Sequence, residues 1–432
     1  MAEMAPLILS SIVFVACLGF IFSEKLNRTI AALAGAALMI GLGKLLGFYS
    51  ETEAIASIDW NTLGLLMGMM ILVAMLEPTG FFQYMAVWAS RLSKGSPFRL
   101  LVLLGSVTTV LSMFLDNVTT VVLIAPVTIL ISEVLGLSPA PFLIAEALLS
   151  NTGGVATLVG DPPNVLIGSA AGLSFNDFLT HSLPVVAVAW LAALLLLNLM
   201  FRKELRGARV NQEAVARLQP EEALNDRRSA VRILIVIGGA IVFFFLHSLL
   251  HLTPSFVALS AAAVALLVVR PPLDDVLRRV EWSVLVFFGA LFVMVGGLEK
   301  AGALESIVSL FEKGATIPPA LFGVLLIWAV AILSAVVDNV PITIALIPVI
   351  QGLGENGINP EPLWWALAFG AGFGGNGTII GSSANIVVAV MSEKTRHPIS
   401  SILWLRRGLP VMIVTCLIAS LIFFLAYDLF TG

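Results

Sequence analysis

Charge is scarce in this chain. Asp, Glu, Lys and Arg supply 12% of its 432 residues, against roughly 25% in a soluble domain, and that shortfall excludes an ordinary water-soluble fold. The formal net charge of -4 says little about partners, because the charges fall in loops whose sidedness matters more than their sum. Cysteine is rarer still. Cys17 and Cys416 lie in apolar runs near opposite ends of the chain, which excludes a disulfide framework and a cysteine-based metal site. Of the four histidines, His247, His251 and His397 fall at the edges of apolar runs and read as interfacial. His181, beside Asp177, is a weak pH-sensing candidate. The chain has no Gly-rich phosphate loop with Lys, no nucleophile elbow and no zinc-ligand spacing. A transport ATPase and a membrane hydrolase are left without support, and no cofactor, metal or nucleic-acid partner is expected.

Apolar residues, by contrast, make up 59% of the chain, and the mean hydropathy is +1.03. This is the composition of a polytopic membrane protein, with the lipid bilayer as its solvent. At about 20 apolar residues per spanning helix, the first half offers spans near 6–23, 28–48 and 60–77. Two apolar arms follow at 97–114 and 118–135, then a Gly/Pro-interrupted segment at 141–170 and a span near 181–201. The second half repeats the order: 230–250, 254–270, 282–299, two arms around Asp338-Asn339, an interrupted segment at 362–391 and a span near 408–428. Residues 202–232 form the one long charged stretch. This divides the chain into a first repeat (1–201), a cytoplasmic linker (202–229) and a second repeat (230–432). The first apolar stretch lacks a basic leader and precedes SEKLNR, so it reads as a first span rather than a cleaved signal.

Residues 111–127, LSMFLDNVTTVVLIAPV, recur 222 positions later as LSAVVDNVPITIALIPV. The same offset pairs Asp59-Trp60 with Glu281-Trp282, Leu76-Glu77 with Leu298-Glu299 and Gly80 with Gly302. Beyond the arms the offset becomes 221, pairing Pro139 and Pro141 with Pro360 and Pro362. Self-similarity of this extent marks a duplicated architecture. Each pair of arms is either two full spans or a re-entrant hairpin tipped by its Asp-Asn pair. A carboxylate in mid-membrane is costly, and irregular backbone survives there only against protein or a water-filled cavity, which favours the hairpin.

With five crossings per half, the second repeat is inverted relative to the first. Both termini then lie outside, and 20 of the 23 basic residues share the linker's face, leaving Lys44, Lys300 and Lys313 opposite. That obeys the positive-inside rule, although two full crossings per hairpin keep the same parity. FFQYMAVWASRLSKG and LESIVSLFEKG, at equivalent places, read as interfacial helices. The expected fold class is an all-α polytopic membrane protein of two inverted-topology repeats, each with about five transmembrane helices, one re-entrant helical hairpin and one broken helix.

The chemistry is expected where the repeats converge. SNTGGVATLVGDPPNVLIGS (150–169) aligns with AGFGGNGTIIGSSANIVVAV (371–390), matching Gly153, Gly154, Thr157, Gly160 and Asn164 to Gly374, Gly375, Thr378, Gly381 and Asn385. Glycines and tandem prolines inside an apolar segment predict an unwound helix whose freed amides and carbonyls line a cavity. Paired broken segments are a pointer to a midplane transport site. The solute-binding candidates are Asn117, Asn151, Thr152, Gly160, Asn164, Asn339, Asn376, Thr378, Ser382, Ser383 and Asn385. The proton-coupling candidates are Asp116, Asp161, Asp338 and Glu146. Against these roles stand structural ones: glycines that serve helix packing, aspartates that cap a hairpin tip or half-helix, and a Glu146 that is simply a satisfied buried acid. The second broken segment has serines where the first has Asp161 and Pro162, so acid is concentrated in the first half.

LDNVTTVVLIAPV, SNTGGVATLVGDPPN, VDNVPITIALIPV and GGNGTIIGSSANIV together resemble the signature regions of the ion transporter superfamily, nearest the bacterial arsenite permease and melanosomal P protein type. The resemblance covers essentially the whole chain. It implies an elevator-type carrier with a scaffold and a transport domain, a homodimer, and, on the arsenite-permease side, a cytosolic ATPase subunit docked on the linker. It also implies the bacterial cytoplasmic membrane. Divalent anion/sodium symporters of the superfamily carry Ser-Asn-Thr at the hairpin tips, whereas both tips here are Asp-Asn-Val. Two added carboxylates repel a dianion in a low-dielectric site, and the broken segments contain no Arg or Lys. A cation or a neutral polyol-like solute fits better. The leading expectation is arsenite and antimonite efflux coupled to protons, since a thiol-free site releases so soft an element readily. The alternatives are a sodium/proton antiporter, an anion transporter or a channel.

Overall fold

The computed structural model describes residues 5–23, 26–206, 219–303 and 317–431, and all of their regular structure is helical. In the first half the longer helices are α1 (Ala5–Ser23), α2 (Arg28–Leu46), α3 (Trp60–Leu76), α4 (Phe81–Leu92), α5 (Pro97–Ser112), α6 (Asn117–Val134), α7 (Ala140–Gly154), α8 (Pro162–Ala171) and α9 (Leu183–Met200). The second half supplies α10 (Arg227–Leu246), α11 (Pro254–Val269), α12 (Trp282–Lys300), α13 (Pro319–Val336), α14 (Asn339–Glu355), α15 (Glu361–Gly374), α16 (Ser383–Ser392) and α17 (Ser401–Leu425). Among the described residues, 8 helices are long and apolar enough to cross a membrane. The expected second interfacial stretch, LESIVSLFEKG, and much of the expected linker lie outside the described residues. What is described of the linker packs on the turn before α4: Asp226 N donates to Thr79 O at 3.2 Å, and Asn225 Nδ2 to Pro78 O at 3.5 Å.

The breaks fall where the backbone chemistry demands them. Asp116 ends the gap between α5 and α6 by accepting Thr119 N at 2.9 Å, and Asp338 does the same for α14 through Val340 N at 3.3 Å. These are N-caps, which satisfy amides that have no partner within the helix. Between α7 and α8 the chain leaves helical geometry, and Pro162-Pro163 restart it at the first helical positions, where a missing N–H costs nothing. Pro126 and Pro348 sit inside α6 and α14 at matching positions, each removing one helical hydrogen bond.

The duplication recurs in the packing. α5 lies on α7 as α13 lies on α15, and α3 packs on α11 as α12 packs on α2. The half-helices cross over: α8 packs on α14 and α16 on α6, so each broken segment leans on the other half's Asp-Asn tip. Side chains follow suit. Ser112 Oγ donates to Ser150 O (2.9 Å) and Ser334 Oγ to Ala371 O (2.7 Å). Thr378 Oγ1 donates to Ala335 O (2.5 Å), and its counterpart Thr157 donates to Met113 O.

One histidine departs from expectation. His247 is buried rather than interfacial, at 7% exposure. Its Nε2 accepts Phe175 N at 3.2 Å and its Nδ1 lies 3.2 Å from Leu252 O, so Nδ1 carries the proton. The ring links a carbonyl of the turn after α10 to the first amide of the short helix Phe175–Asp177, 72 positions away. His181 stacks on Trp365 with centroids 4.9 Å apart and lies 2.8 Å from Asp177 O through Nδ1.

Candidate functional site

The two Asp-Asn tips and the two helix breaks meet around a cavity of about 40 Å³. It is lined by Asp116, Asn117, Asp161, Asp338, Asn339, Ser382 and Ser383, with Leu66, Met70, Phe287 and Phe288 on its apolar wall. Seven residues singled out from the sequence therefore share one space. By the ~10–15 Å³ that a single water needs, it holds a few water-sized groups.

Beside the cavity lies a buried amide network centred on Asn151. Its Oδ1 accepts Asn117 Nδ2 at 3.0 Å and Ser382 Oγ at 3.0 Å, while its Nδ2 donates to Asn385 Oδ1 at 2.9 Å and Asn376 Oδ1 at 3.1 Å. Asn376 in turn donates to Thr152 Oγ1 at 3.1 Å. Asn164 Nδ2 lies 2.8–3.2 Å from the carbonyls of Thr157, Val155 and Gly154. Asn385 Nδ2 likewise donates to Gly375 O (2.7 Å) and Thr378 O (2.9 Å). These asparagines take up carbonyls freed by each break, as buried backbone groups require. Gly160 works by lacking a side chain: a Cβ there would stand 2.6 Å from Gly154 O and 2.7 Å from Ser112 O.

Three sequence expectations change here. Asp161 does not cap α8, since its side chain makes no cap bond. Its carboxylate faces Asn339 Nδ2 at 3.1 and 3.4 Å. Glu146 stays outside the cavity. It is fully buried on α7, with Oε1 accepting Thr128 Oγ1 at 2.5 Å and Oε2 unpartnered. Nor is the site free of basic groups: Arg28, at the start of α2, lines the cavity. Its Nη1 donates to Ser383 Oγ at 2.5 Å and lies 3.5 Å from Asp338 Oδ2. Ser383 Oγ donates to the same Asp338 oxygen at 2.6 Å. The guanidinium also stands 5.5 Å from the Phe287 ring centre, within cation–π range.

A fourth carboxylate, Glu281, was also not singled out for the site. Its repeat counterpart, Asp59, is occupied capping α3 through Asn61 N (3.0 Å), Thr62 N (3.1 Å) and Thr62 Oγ1 (2.6 Å). Glu281 makes no such cap and instead accepts Thr119 Oγ1 at 3.1 Å, while that hydroxyl lies 2.5 Å from Asp116 Oδ2. A hydroxyl has one proton, yet Thr119 faces two carboxylates. No local signal reveals Glu281 or Arg28: Thr119 and Glu281 are 162 positions apart and Arg28 and Asp338 are 310 apart. Among the described residues, no group of three or more His, Cys, Asp or Glu side chains is arranged to hold a metal ion.

Comparison with known proteins agrees with this architecture. The chain is 39% identical over 433 residues to a protein of Mycobacterium tuberculosis described as an uncharacterized transporter, covering 98% of this chain and 99% of that one. It is 34% identical over 478 residues to the human P protein, covering 92% of this chain and 57% of the P protein. The crystal structure of the Alcanivorax borkumensis YdaH transporter, described as having an unusual topology, superposes with a TM-score of 0.61 at 16% identity, covering 98% and 100% of the two chains. At that identity the likeness concerns the fold alone. A family model described as "citrate transporter" (CitMHS) matches residues 18–370. Helix content, spans and relatives thus agree with the resemblance to the ion transporter superfamily, and this multi-pass membrane transporter belongs to the citrate transporter (CitMHS) family.

Proposed function

We propose that this chain is a proton-coupled secondary transporter exporting arsenite and antimonite across a bacterial cytoplasmic membrane, with the cavity between the two Asp-Asn tips as its transport site. The observation that carries the reading is the four carboxylates, Asp116, Asp161, Asp338 and Glu281, around one cavity of about 40 Å³, with Arg28 the one guanidinium among the described residues that line it. Of the four, Asp161 is buried and the others are partly so, and charges of one sign repel wherever protein lowers the dielectric below that of water. Such a site suits protons together with a small neutral or cationic solute, and arsenous acid is small, uncharged near neutral pH and rich in hydroxyls.

Proton coupling draws support from Thr119. With one hydroxyl proton between Asp116 and Glu281, a further proton on either carboxylate completes the set of hydrogen bonds. Asp161 is the other candidate, since among the described residues it meets an amide and no cation. The packing supports a scaffold of α1–α3 and α10–α12 and a mobile body of α5–α9 and α13–α17, working as an elevator of two inverted repeats. Both termini outside, the linker inside, a homodimer and a cytosolic ATPase subunit on the linker are parts of the same proposal.

Citrate, named in the family description, is the harder fit. Its carboxylates would meet four others, and the cavity would have to enlarge. Arg28 does not reverse this, being committed to Asp338 and Ser383. A sodium/proton antiporter is the second reading, favoured by the same hard carboxylate oxygens. The test is a panel in proteoliposomes under an imposed pH gradient: arsenite, antimonite, sodium, and citrate with and without Mg²⁺. Gradient-driven arsenite flux supports the first reading. Sodium-driven pH change indifferent to arsenite supports the second, and citrate flux alone would overturn both.

A further inference from the structure

The cavity between the tips is not isolated. A second cavity, of about 350 Å³, adjoins it and shares Arg28, Val118, Asp338 and Ser383 in its lining. Its remaining walls are apolar, among them Ile21, Val336 and Ile386. Arg28 therefore stands where the inner cavity meets this vestibule. Among the described residues it is also the one cation facing the four acids of the inner cavity: Asp116 from the first tip, Asp338 from the second, Asp161 from the first broken segment and Glu281 from the start of α12. Its position is set by α2, which packs on α1 and α12, while its partners belong to the second tip and to α16. The side chain is 37% exposed and that of Asp338 19% exposed. The contact is thus neither sealed in protein nor freely solvated.

We propose that Arg28 is a tethered counter-ion that closes the mouth of the inner cavity and competes with an entering solute for Asp338 and Ser383. A guanidinium at this place does two things at once. It offsets part of the acid charge while the cavity is empty, and it must leave Asp338 before a cation or hydroxyl-bearing solute can use that carboxylate. This makes Arg28 a positioning and selectivity residue for whatever the site carries. The inference rests on the tip cavity being the transport site, but its test requires no knowledge of the solute.

The experiment uses the full-length chain in proteoliposomes, with the buried Cys17 and Cys416 replaced by Ala and a reporter introduced as Val340→Cys on the inner cavity wall. Reaction rates are measured with a cationic and an anionic methanethiosulfonate of similar size. With Arg28 present, the cationic reagent is held back. Arg28→Gln should raise its rate relative to the anionic reagent by about tenfold, the low end of what a cleft of single sign achieves, and Arg28→Lys should restore most of the discrimination. Asp338→Asn, which keeps Arg28 and removes its partner, should shift the ratio towards the anionic reagent. These two results together support the proposal. Unchanged ratios overturn it, and so does equal acceleration of both reagents, which makes Arg28 a neutral plug. If Arg28→Gln does not fold, Arg28→Met, which likewise removes the charge, takes its place, since loss of the Asp338 carboxylate shifts the ratio with or without a gating Arg28. A failed solute panel with shifted labelling ratios would remove the substrate reading and keep the gate.

Discussion

Asn339 reaches Asp161 from 178 positions away, with its amide nitrogen 3.1 and 3.4 Å from the two carboxylate oxygens. The contact joins the second tip to the first break, and its counterpart is different. Asn117, the equivalent of Asn339, donates to Asn151 at 3.0 Å, and Ser382 stands where Asp161 would be. One side of the site is therefore a carboxylate held by an amide, and the other a neutral network.

That asymmetry predicts the response to Asn339→Ala. Asp161 is 1% exposed, and losing its donor costs about 1–3 kcal/mol, visible as a lower melting temperature in detergent. Asp161→Asn keeps the shape and an acceptor, so it should melt near the native value. A melting point unchanged by Asn339→Ala would mean that water replaces the amide, and that the contact is not structural.

The trio of Asp116, Thr119 and Glu281 predicts a separate effect. Glu281→Gln keeps the size of the side chain and adds a permanent N–H donor, mimicking a protonated partner. Flux should persist but respond less to an imposed pH gradient. Thr119→Val, which removes the bridging hydroxyl, should disturb the gradient response as well. If both variants track the gradient like the native protein, the coupled proton resides elsewhere, with Asp161 the next to examine.

Close backbone approach predicts intolerance at Gly160 and Gly381. A Cβ at Gly381 would lie 2.8 Å from Gly375 O and 3.0 Å from Ser334 O, one a carbonyl of the break and the other a backbone atom of α13. Gly160→Ala and Gly381→Ala should each cost on the order of 1–3 kcal/mol, read as lost monodisperse protein on size exclusion. Gly238→Ala serves as the control, since nothing lies within 4 Å of its added carbon.

Asn164 and Asn385 should behave as braces. Replacing either by Ala orphans buried carbonyls, at about 1–3 kcal/mol each. Asp in the same place should be no better, because a carboxylate cannot donate to them. Thermal melting of Asn164→Ala, Asn164→Asp and the Asn385 pair checks this. Stable variants with altered solute affinity would return both residues to the binding role first expected of them.

Much was legible in the chain because its signals are local or repeated. A run of about 20 apolar residues announces a helix wherever it packs. The recurrence of Asp-Asn and of Gly-x6-Gly-x3-Asn at offsets of 222 and 221 announced the two tips and two breaks. The seven lining residues among the sequence candidates follow from that pattern, since inward-facing polar groups in an apolar chain have few other places to go. Roles were less legible than places. Asn164 and Asn385 spend their donors on carbonyls freed only once the helix has opened, Thr378 spends its hydroxyl on Ala335 O near the end of α13, and His247 ties a turn to a helix start 72 positions away.

The sequence by itself determined that this protein is an all-helical membrane transporter built on a duplication, because hydropathy and self-similarity need no partner to be read. Only the tertiary structure decided the electrostatics of the site. Arg28 and Glu281 enter from helix starts far from the motifs, and Coulomb energy depends on separation in space, not on separation along the chain. Of these two, Glu281 adds a fourth carboxylate and Arg28 adds a cation that offsets it, so the formal charge stays that of the three aspartates while its distribution changes.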